Sequence, residues 1–408
     1  MMQRNSQEKS ADAGAPVWLD SQPPSQSAIV LGTALTGQSP SVVSRSAGYR
    51  MIESLEIENF RPFKKAELSG LKRVNIVVGD NSSGKTAFLE AIFLASASNP
   101  QIPITLRQWR GLEASPIGTT TDVYDALWNN LFNNFDRSKT INIAMHGSEN
   151  DSRSLAMFFR QEAELTLPLK QNGGATGELK PSTGIYQPFV FHWKSPATPD
   201  VILTMRSTAS GLQVEGIMHE SSMRSAFIPA HAQTSNQYTA NLFSSLSKQN
   251  KELEFVSALK LQFPSIQTVS VELEAAASAI FVSLPWLKQK IPLALYSNAA
   301  SNLASILLNI SASPRGIVCV DEIENGFHYK RHSSVWEQIY NFADVYETQV
   351  FATCHSLEFL RAGVPVVRKN HGDFCLIQVL QEGGISRARI NQGLDAADAI
   401  EHGLEVRS

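Results

Sequence analysis

Residues 74 to 86 read Val74-Asn75-Ile76-Val77-Val78-Gly79-Asp80-Asn81-Ser82-Ser83-Gly84-Lys85-Thr86. The apolar run from Arg73 to Val78 predicts a buried strand, and it enters a turn matching G-x-x-x-x-G-K-[ST]. Beyond the turn, Phe88, Leu89, Ile92, Phe93 and Leu94 recur at helical spacing and predict a helix from about Gly84 to Ser96 with one core face. Strand, loop and helix in that order turn a pattern match into a phosphate site. Glycines let the backbone wrap a β-phosphate. The successive N–H groups from Gly79 through Asp80, Asn81, Ser82, Ser83 and Gly84, with the helix N-terminus, supply positive potential. Lys85 reaches the β- and γ-phosphates, and Thr86 places its hydroxyl on Mg2+.

A second buried strand, Gly316 to Val320, ends in Asp321 and Glu322. Successive strand residues point to opposite faces, so one carboxylate can address a metal while the next reaches toward a γ-phosphate. Asp321 is assigned to Mg2+ through water, and Glu322 to orienting or deprotonating the attacking water. Glu324, His328 and His332 have spacings that fit either a helical metal site or surface and nucleotide-edge roles. A third strand, Gln349 to Thr353, ends in Thr-Cys-His-Ser, and its position after the acidic strand places His355 over the γ-phosphate.

Strands alternate with helices in the last third, with helices expected at Ser301 to Ile310 and Ser333 to Tyr346, which argues for a parallel sheet with helical cover. Ile52, Leu55 and Ile57 mark a first strand. Between about 100 and 290 the pattern is irregular. Leu127 to Phe135 reads as an amphipathic helix, and Leu253 to Phe263 as another. Ile141 to Met145, Ala163 to Leu169, Phe189 to Trp193 and Val201 to Met205 read as short strands. Residues 1 to 50 are rich in Ser, Gln, Ala, Pro and Gly and are expected to be disordered. Met51 is either the biological start or the end of a disordered leader.

The chain has 408 residues and 35 Lys and Arg against 38 Asp and Glu, a net charge of −3, so there is no global basic excess to neutralise nucleic-acid phosphates. Its cysteines, Cys319, Cys354 and Cys375, share no metal-ligand spacing and leave one unpaired, as expected of a reducing cytoplasm. No stretch approaches the roughly 20 apolar residues of a spanning helix, so no membrane partner is expected.

Together these residues resemble the ABC-like ATPase heads of SMC proteins, Rad50, RecF and the OLD-like ATPases. Ile57-Glu58-Asn59-Phe60-Arg61 resembles their first-strand signature. GDNSSGKT at Gly79 to Thr86 resembles their Walker A, and VCVDEIENGFH at Val318 to His328 an OLD-like Walker B and D-loop. ATCHS at Ala352 to Ser356 resembles their switch histidine, and Glu405-Val406-Arg407 the ending of compact members. The resemblance implies an ABC-type α/β head with a mixed or parallel central sheet flanked by helices over residues 51 to 408, plus a small α+β insertion at about 100 to 290. It implies ATP and Mg2+ as cofactors, with Asn59 and Arg61 toward the nucleotide and Glu322 and His355 catalytic. It further implies a homodimer or higher homo-oligomer in which ATP is sandwiched between heads, each capped by the other's signature segment. Here that segment resembles Leu295 to Ala300, with Ser297 and Asn298 on ATP. Ala299 stands where the family usually has Gly, and a β-carbon there obstructs close approach of backbone to phosphate. Gln101 and Gln108 are the candidates for the glutamine loop.

About 240 residues separate Lys85 from Asp321, too few and too irregular for a long coiled coil. About 50 follow His355, too few for a further nuclease domain, and no Asn-Lys-x-Asp motif marks a GTPase. Two function classes follow from the resemblance, beside a non-hydrolysing scaffold suggested by Ala299. One is an ATP-driven dimerisation switch controlling a protein effector such as a nuclease or toxin in prokaryotic anti-phage defence. The other is a RecF-like clamp on DNA. The acidic balance and the lack of a Lys/Arg stripe favour the first.

Overall fold

The computed structural model describes residues 51–99, 102–110, 127–147, 152–160, 187–196, 198–208, 211–217, 223–230, 235–274 and 277–403. The stretches 1–50, 163–169 and 405–407, with Gln101, lie outside the described residues.

The strands are β1 (Ile52–Phe60), β2 (Phe63–Ser69), β3 (Val74–Val78), β4 (Ile141–Gly147), β5 (Ser152–Phe159), β6 (Phe189–Ser195), β7 (Thr198–Thr208), β8 (Gly211–Gly216), β9 (Ser225–Ile228), β10 (Thr268–Glu274), β11 (Ala277–Ser283), β12 (Ile291–Pro292), β13 (Ile317–Val320), β14 (Gln349–Thr353), β15 (Phe374–Glu382) and β16 (Ile385–Gln392). The helices are α1 (Lys85–Ser96), α2 (Ile102–Trp109), α3 (Asn236–Ser247), α4 (Glu252–Gln262), α5 (Leu293–Tyr296), α6 (Asn298–Ala312), α7 (His332–Val345), α8 (Leu357–Lys369) and α9 (Gly393–His402).

Three sheets form. The six-stranded sheet, in the order β16-β15-β3-β14-β13-β9, is parallel throughout except for the antiparallel edge strand β16. Its central strands are buried on both faces, which is why Val74 to Val78, Ile317 to Val320 and Gln349 to Thr353 read as apolar runs rather than alternations. Their alternate residues feed two different cores. Ile76, Val318, Val320 and Ala352 join the core under α3, α4, α6, α7 and α8, while Val77, Ile317, Cys319 and Phe351 face the core shared with α1 and the second sheet. That second sheet is antiparallel, in the order β2-β1-β4-β5-β6-β7-β8. The strands from residues 141 to 216 therefore continue the sheet that β1 and β2 begin. A small third sheet joins β10, β11 and β12.

Helix α1 lies between the two larger sheets, touching β13, β14 and β9 on one side and β4 and β5 on the other. It is buried nearly all round, as a helix inside a layered core must be. Gln349, fully buried, ties the layers together. Its Nε2 donates to the Ile52 and Lys72 carbonyls at 2.8 Å, and its Oε1 accepts from the Ile52 N–H at 3.0 Å.

Two expectations are corrected. Leu127 to Phe135 is not an amphipathic helix: after Leu127 and Trp128 it breaks into 3-10 turns at Asn129–Leu131 and Asn133–Phe135, with Asn134 and Phe135 at φ 51° and 56°. Asn133 Nδ2 donates instead to the Arg61 carbonyl at 2.6 Å, tying this irregular segment to the turn after β1. The helix expected to begin at Ser301 begins at Asn298, N-capped by Ser297. Among the described residues no helix is long and apolar enough to cross a membrane.

Candidate functional site

The phosphate loop leaves β3 and turns at Gly79 (φ 146°), Ser82 (φ 67°) and Gly84 (φ 107°) before α1 begins at Lys85. Glycine is required at both ends. A Cβ on Gly79 would meet the Val379 carbonyl oxygen at 2.1 Å, and one on Gly84 the Pro62 ring at 2.8 Å, in backbone conformations that L side chains rarely adopt. Ser386 Oγ donates to the Ser83 carbonyl and pins the loop's far side to β16. Lys85 curls back over the loop and donates to the carbonyls of Gly79 and Asp80, each at 2.7 Å. Burial pushes its pKa below the ordinary lysine value, while Asp321 and Asp80 oppose that shift.

Adjacent parallel strands bring the acidic pair alongside. Thr86 Oγ1 donates to Asp321 Oδ1 and Oδ2 at 3.2 and 3.1 Å. Thr353 Oγ1, at the end of β14, donates to Asp321 Oδ1 at 2.7 Å and accepts from the Glu322 N–H at 2.7 Å. Burial raises the Asp321 pKa above the ordinary carboxylate value, with the neighbouring Glu322 and Glu90 acting in the same direction. Glu322 sits at φ 53°, a left-handed conformation costing about 1–3 kcal/mol that the Thr353 bond holds in place. Its Oε2 accepts from Asn325 Nδ2 at 2.8 Å. The His355 N–H donates to Glu324 Oε1 at 2.6 Å, which orients the exposed end of the third strand.

These parts meet in one cleft of about 560 Å³ that holds Ser82, Gly84, Lys85, Thr86, Glu322 and His355 together with Arg61, Arg107 and Arg110. Four cations against one lining carboxylate suit a polyphosphate. The Thr86 hydroxyl and Asp321 carboxylate are hard oxygen donors of the kind magnesium takes, so the residues present fit a magnesium nucleotide.

The structure does not bring every expected residue there. Asn59 turns away and donates from Nδ2 to the Thr140 carbonyl at 2.9 Å. Ser297 and Asn298 are outside the cleft as well. The Ser297 hydroxyl accepts from the Ala300 N–H at 3.3 Å, and Asn298 lines a separate cleft beyond Glu322 with Asn302 and Asn325. Ala299 packs near Gly326 of the same chain. The metal grouping of Glu324, His328 and His332 does not form among the described residues: His332 Nε2 pairs with the Phe327 carbonyl at 3.1 Å and His328 Nδ1 accepts from the Lys330 N–H. Gln108 is not among the cleft's residues, whereas its helix neighbours Arg107 and Arg110 are. The sequence signal for them was the Arg-x-x-Arg spacing on one helix face after α1.

Residues 51–286, more than half of the chain, match a family model described as an AAA ATPase domain. An ATP/GTP phosphatase of Helicobacter pylori is 22% identical over 343 residues, covering 78% of this chain and 89% of that protein. The DNA replication and repair protein RecF of Idiomarina loihiensis is 44% identical over 57 residues and that of Nitrosococcus oceani 60% over 43, matches that span 16% and 12% of those proteins. Among solved structures, the SMC head domain from Thermotoga maritima aligns over 84% of this chain and 99% of its own at 12% identity and a TM-score of 0.40. An SmcHead bound to the C-winged helix domain of ScpA aligns over 84% and 98% at 15% identity and 0.42. The chain belongs to the AAA ATPase domain family and carries that family's P-loop at Gly79 to Thr86.

Proposed function

We propose that the chain is a magnesium-dependent ATPase whose two heads close on nucleotide and thereby switch a partner protein. Lys85 and the loop N–H groups hold the phosphates, and Thr86 and Asp321 hold Mg2+. Magnesium held there would supply charge neutralisation to the phosphates. Glu322 orients the attacking water and accepts its proton, and His355, exposed at the mouth of the same cleft, donates a hydrogen bond to the developing charge.

The observation that carries the dimer is the separation of two clefts. The signature segment at Ser297 to Ala300 is absent from the lining of its own chain's phosphate-loop cleft, and Asn298 lines a neighbouring cleft that shares Glu322, an arrangement that suits presentation of the segment by a second copy. Glu322→Gln is expected to retain ATP and accumulate as a dimer in size-exclusion chromatography with light scattering, with turnover lost. Normal turnover removes Glu322 from catalysis, and a monomer under saturating ATP removes the two-head assembly. Lys85→Ala is expected to abolish ATP binding. Because the H. pylori relative's name includes GTP, both nucleotides belong in the assay.

A RecF-like DNA clamp is the second reading, supported by the local identity to RecF proteins. ATP-dependent affinity for duplex DNA, tight and falling steeply with salt, favours the clamp, and weak salt-insensitive binding favours the protein-directed switch. A partner nuclease or toxin and a role in anti-phage defence, in the cytoplasm, belong to the switch reading.

A further inference from the structure

Five residues beyond Lys85 on α1, Glu90 is 1% exposed and enclosed between the two larger sheets. A lone carboxylate at such a depth is costly unless paired. Glu90 has two partners from separate segments. Arg61, in the turn between β1 and β2, donates from Nη1 to Glu90 Oε2. Arg110, just past the end of α2, donates from Nε to Oε1 and from Nη2 to Oε2, each at 2.9 Å, a bidentate fork.

Both arginines line the nucleotide cleft, as does Arg107 one turn before Arg110. Without a counter-ion these guanidiniums repel one another: the charges of Arg110 and Arg107 both act to depress the Arg61 pKa, beyond the effect of its burial. Arg61 is also held at φ 49° by its own backbone, whose N–H donates to the Leu131 carbonyl at 2.8 Å and whose carbonyl accepts from Asn133. The backbone thus aims Arg61, and the shared carboxylate fixes where its guanidinium and that of Arg110 end up.

We propose that Glu90 is a positioning residue of the nucleotide cleft, holding Arg61 and Arg110 as a preassembled cationic wall that binds the nucleotide's phosphates opposite the phosphate loop. The proposal rests on the nucleotide-binding reading above and adds to it a binding wall supplied by α2. Its competitor is a purely structural clamp that fastens α2 to α1.

The test is equilibrium binding of MgATP to the full chain by isothermal titration calorimetry, with turnover measured in parallel and folding checked by urea unfolding. Wild type binds, and Lys85→Ala does not. Glu90→Gln and Arg110→Met each weaken MgATP about tenfold, the scale of one lost charge-assisted contact, while turnover at saturating ATP stays within about threefold. The double variant is likewise weakened only about tenfold relative to wild type, not a hundredfold, because the two residues act as one unit. Arg110 is 41% exposed, so Arg110→Met tests the wall even where Glu90→Gln fails to fold. Affinity within twofold of wild type in Arg110→Met, a hundredfold additive loss, or a loss that falls on turnover and not on affinity each overturns the proposal. Wild-type protein that does not bind MgATP overturns the nucleotide reading itself, a result distinct from any of these.

Discussion

Thr353→Val removes one hydroxyl and little else. Valine has the same shape and an equal liking for strands, and the site is fully buried at the end of β14. The hydroxyl's two bonds, to Asp321 Oδ1 and from the Glu322 N–H at 2.7 Å each, are the cross-strand link between the acidic pair and the histidine strand. Losing a hydrogen bond to a charged group costs roughly 1.5–3 kcal/mol, and leaving the Glu322 N–H without its partner costs about 1–3 kcal/mol. The added methyl returns about 1 kcal/mol. The net loss is about 1.5–5 kcal/mol, read as a lower urea midpoint at unchanged slope. Glu322 loses the contact that holds its left-handed backbone, so turnover at saturating ATP should fall at least tenfold while nucleotide affinity changes little, since Lys85 and the loop are untouched. Thr353→Ser, which keeps the hydroxyl, should retain both stability and turnover. A Thr353→Val protein within 1 kcal/mol of wild type with normal turnover would refute the bridge.

Asp321 gives a pH-dependent prediction. Its pKa is raised above the ordinary 3.8, chiefly by burial, so the fold binds this proton more tightly than the unfolded chain does. The contribution is complete below about pH 3.8 and is lost as pH rises through the raised value. Asp321→Asn, neutral throughout, should therefore have the higher urea midpoint at pH 7 in protein free of nucleotide and magnesium, with the gap closing near pH 4; a lower midpoint at pH 7 contradicts the desolvation argument. Gly363→Ala probes the core away from the cleft. A Cβ there would meet the buried Trp336 ring at 2.8 Å, so about 1–3 kcal/mol of stability should be lost with MgATP affinity unchanged, and a neutral effect on unfolding would mean that α7 and α8 part easily.

The phosphate loop was legible because its parts are contiguous: a strand, a turn and a helix N-terminus within fourteen residues carry the geometry by themselves. The strand ends at Asp321-Glu322 and His355 were legible because strands buried on both faces leave unbroken apolar runs that stop at polar residues. Asn59 and the signature segment were assigned by resemblance, and the fold turns the first onto Thr140 and leaves Ser297 and Asn298 outside the lining of the phosphate-loop cleft. Asn-rich residues 129 to 135 carry helical spacing of apolar side chains, but the chain breaks into 3-10 turns with Asn134 and Phe135 at positive φ, and Asn133 bonds the distant Arg61 carbonyl.

Local chemistry was thus written in the residues themselves: a phosphate loop, an acidic strand end, a histidine strand end and a parallel sheet under helical cover. Only the tertiary structure decided that β4 to β8 extend the sheet of β1, that Thr353 bridges Asp321 and Glu322, and that Arg61 and Arg110 share Glu90 beside Lys85. The physical reason is range. Periodicity reports which face of an element is buried, whereas strand order and ion pairing between segments up to hundreds of residues apart are settled by how several buried faces pack at once.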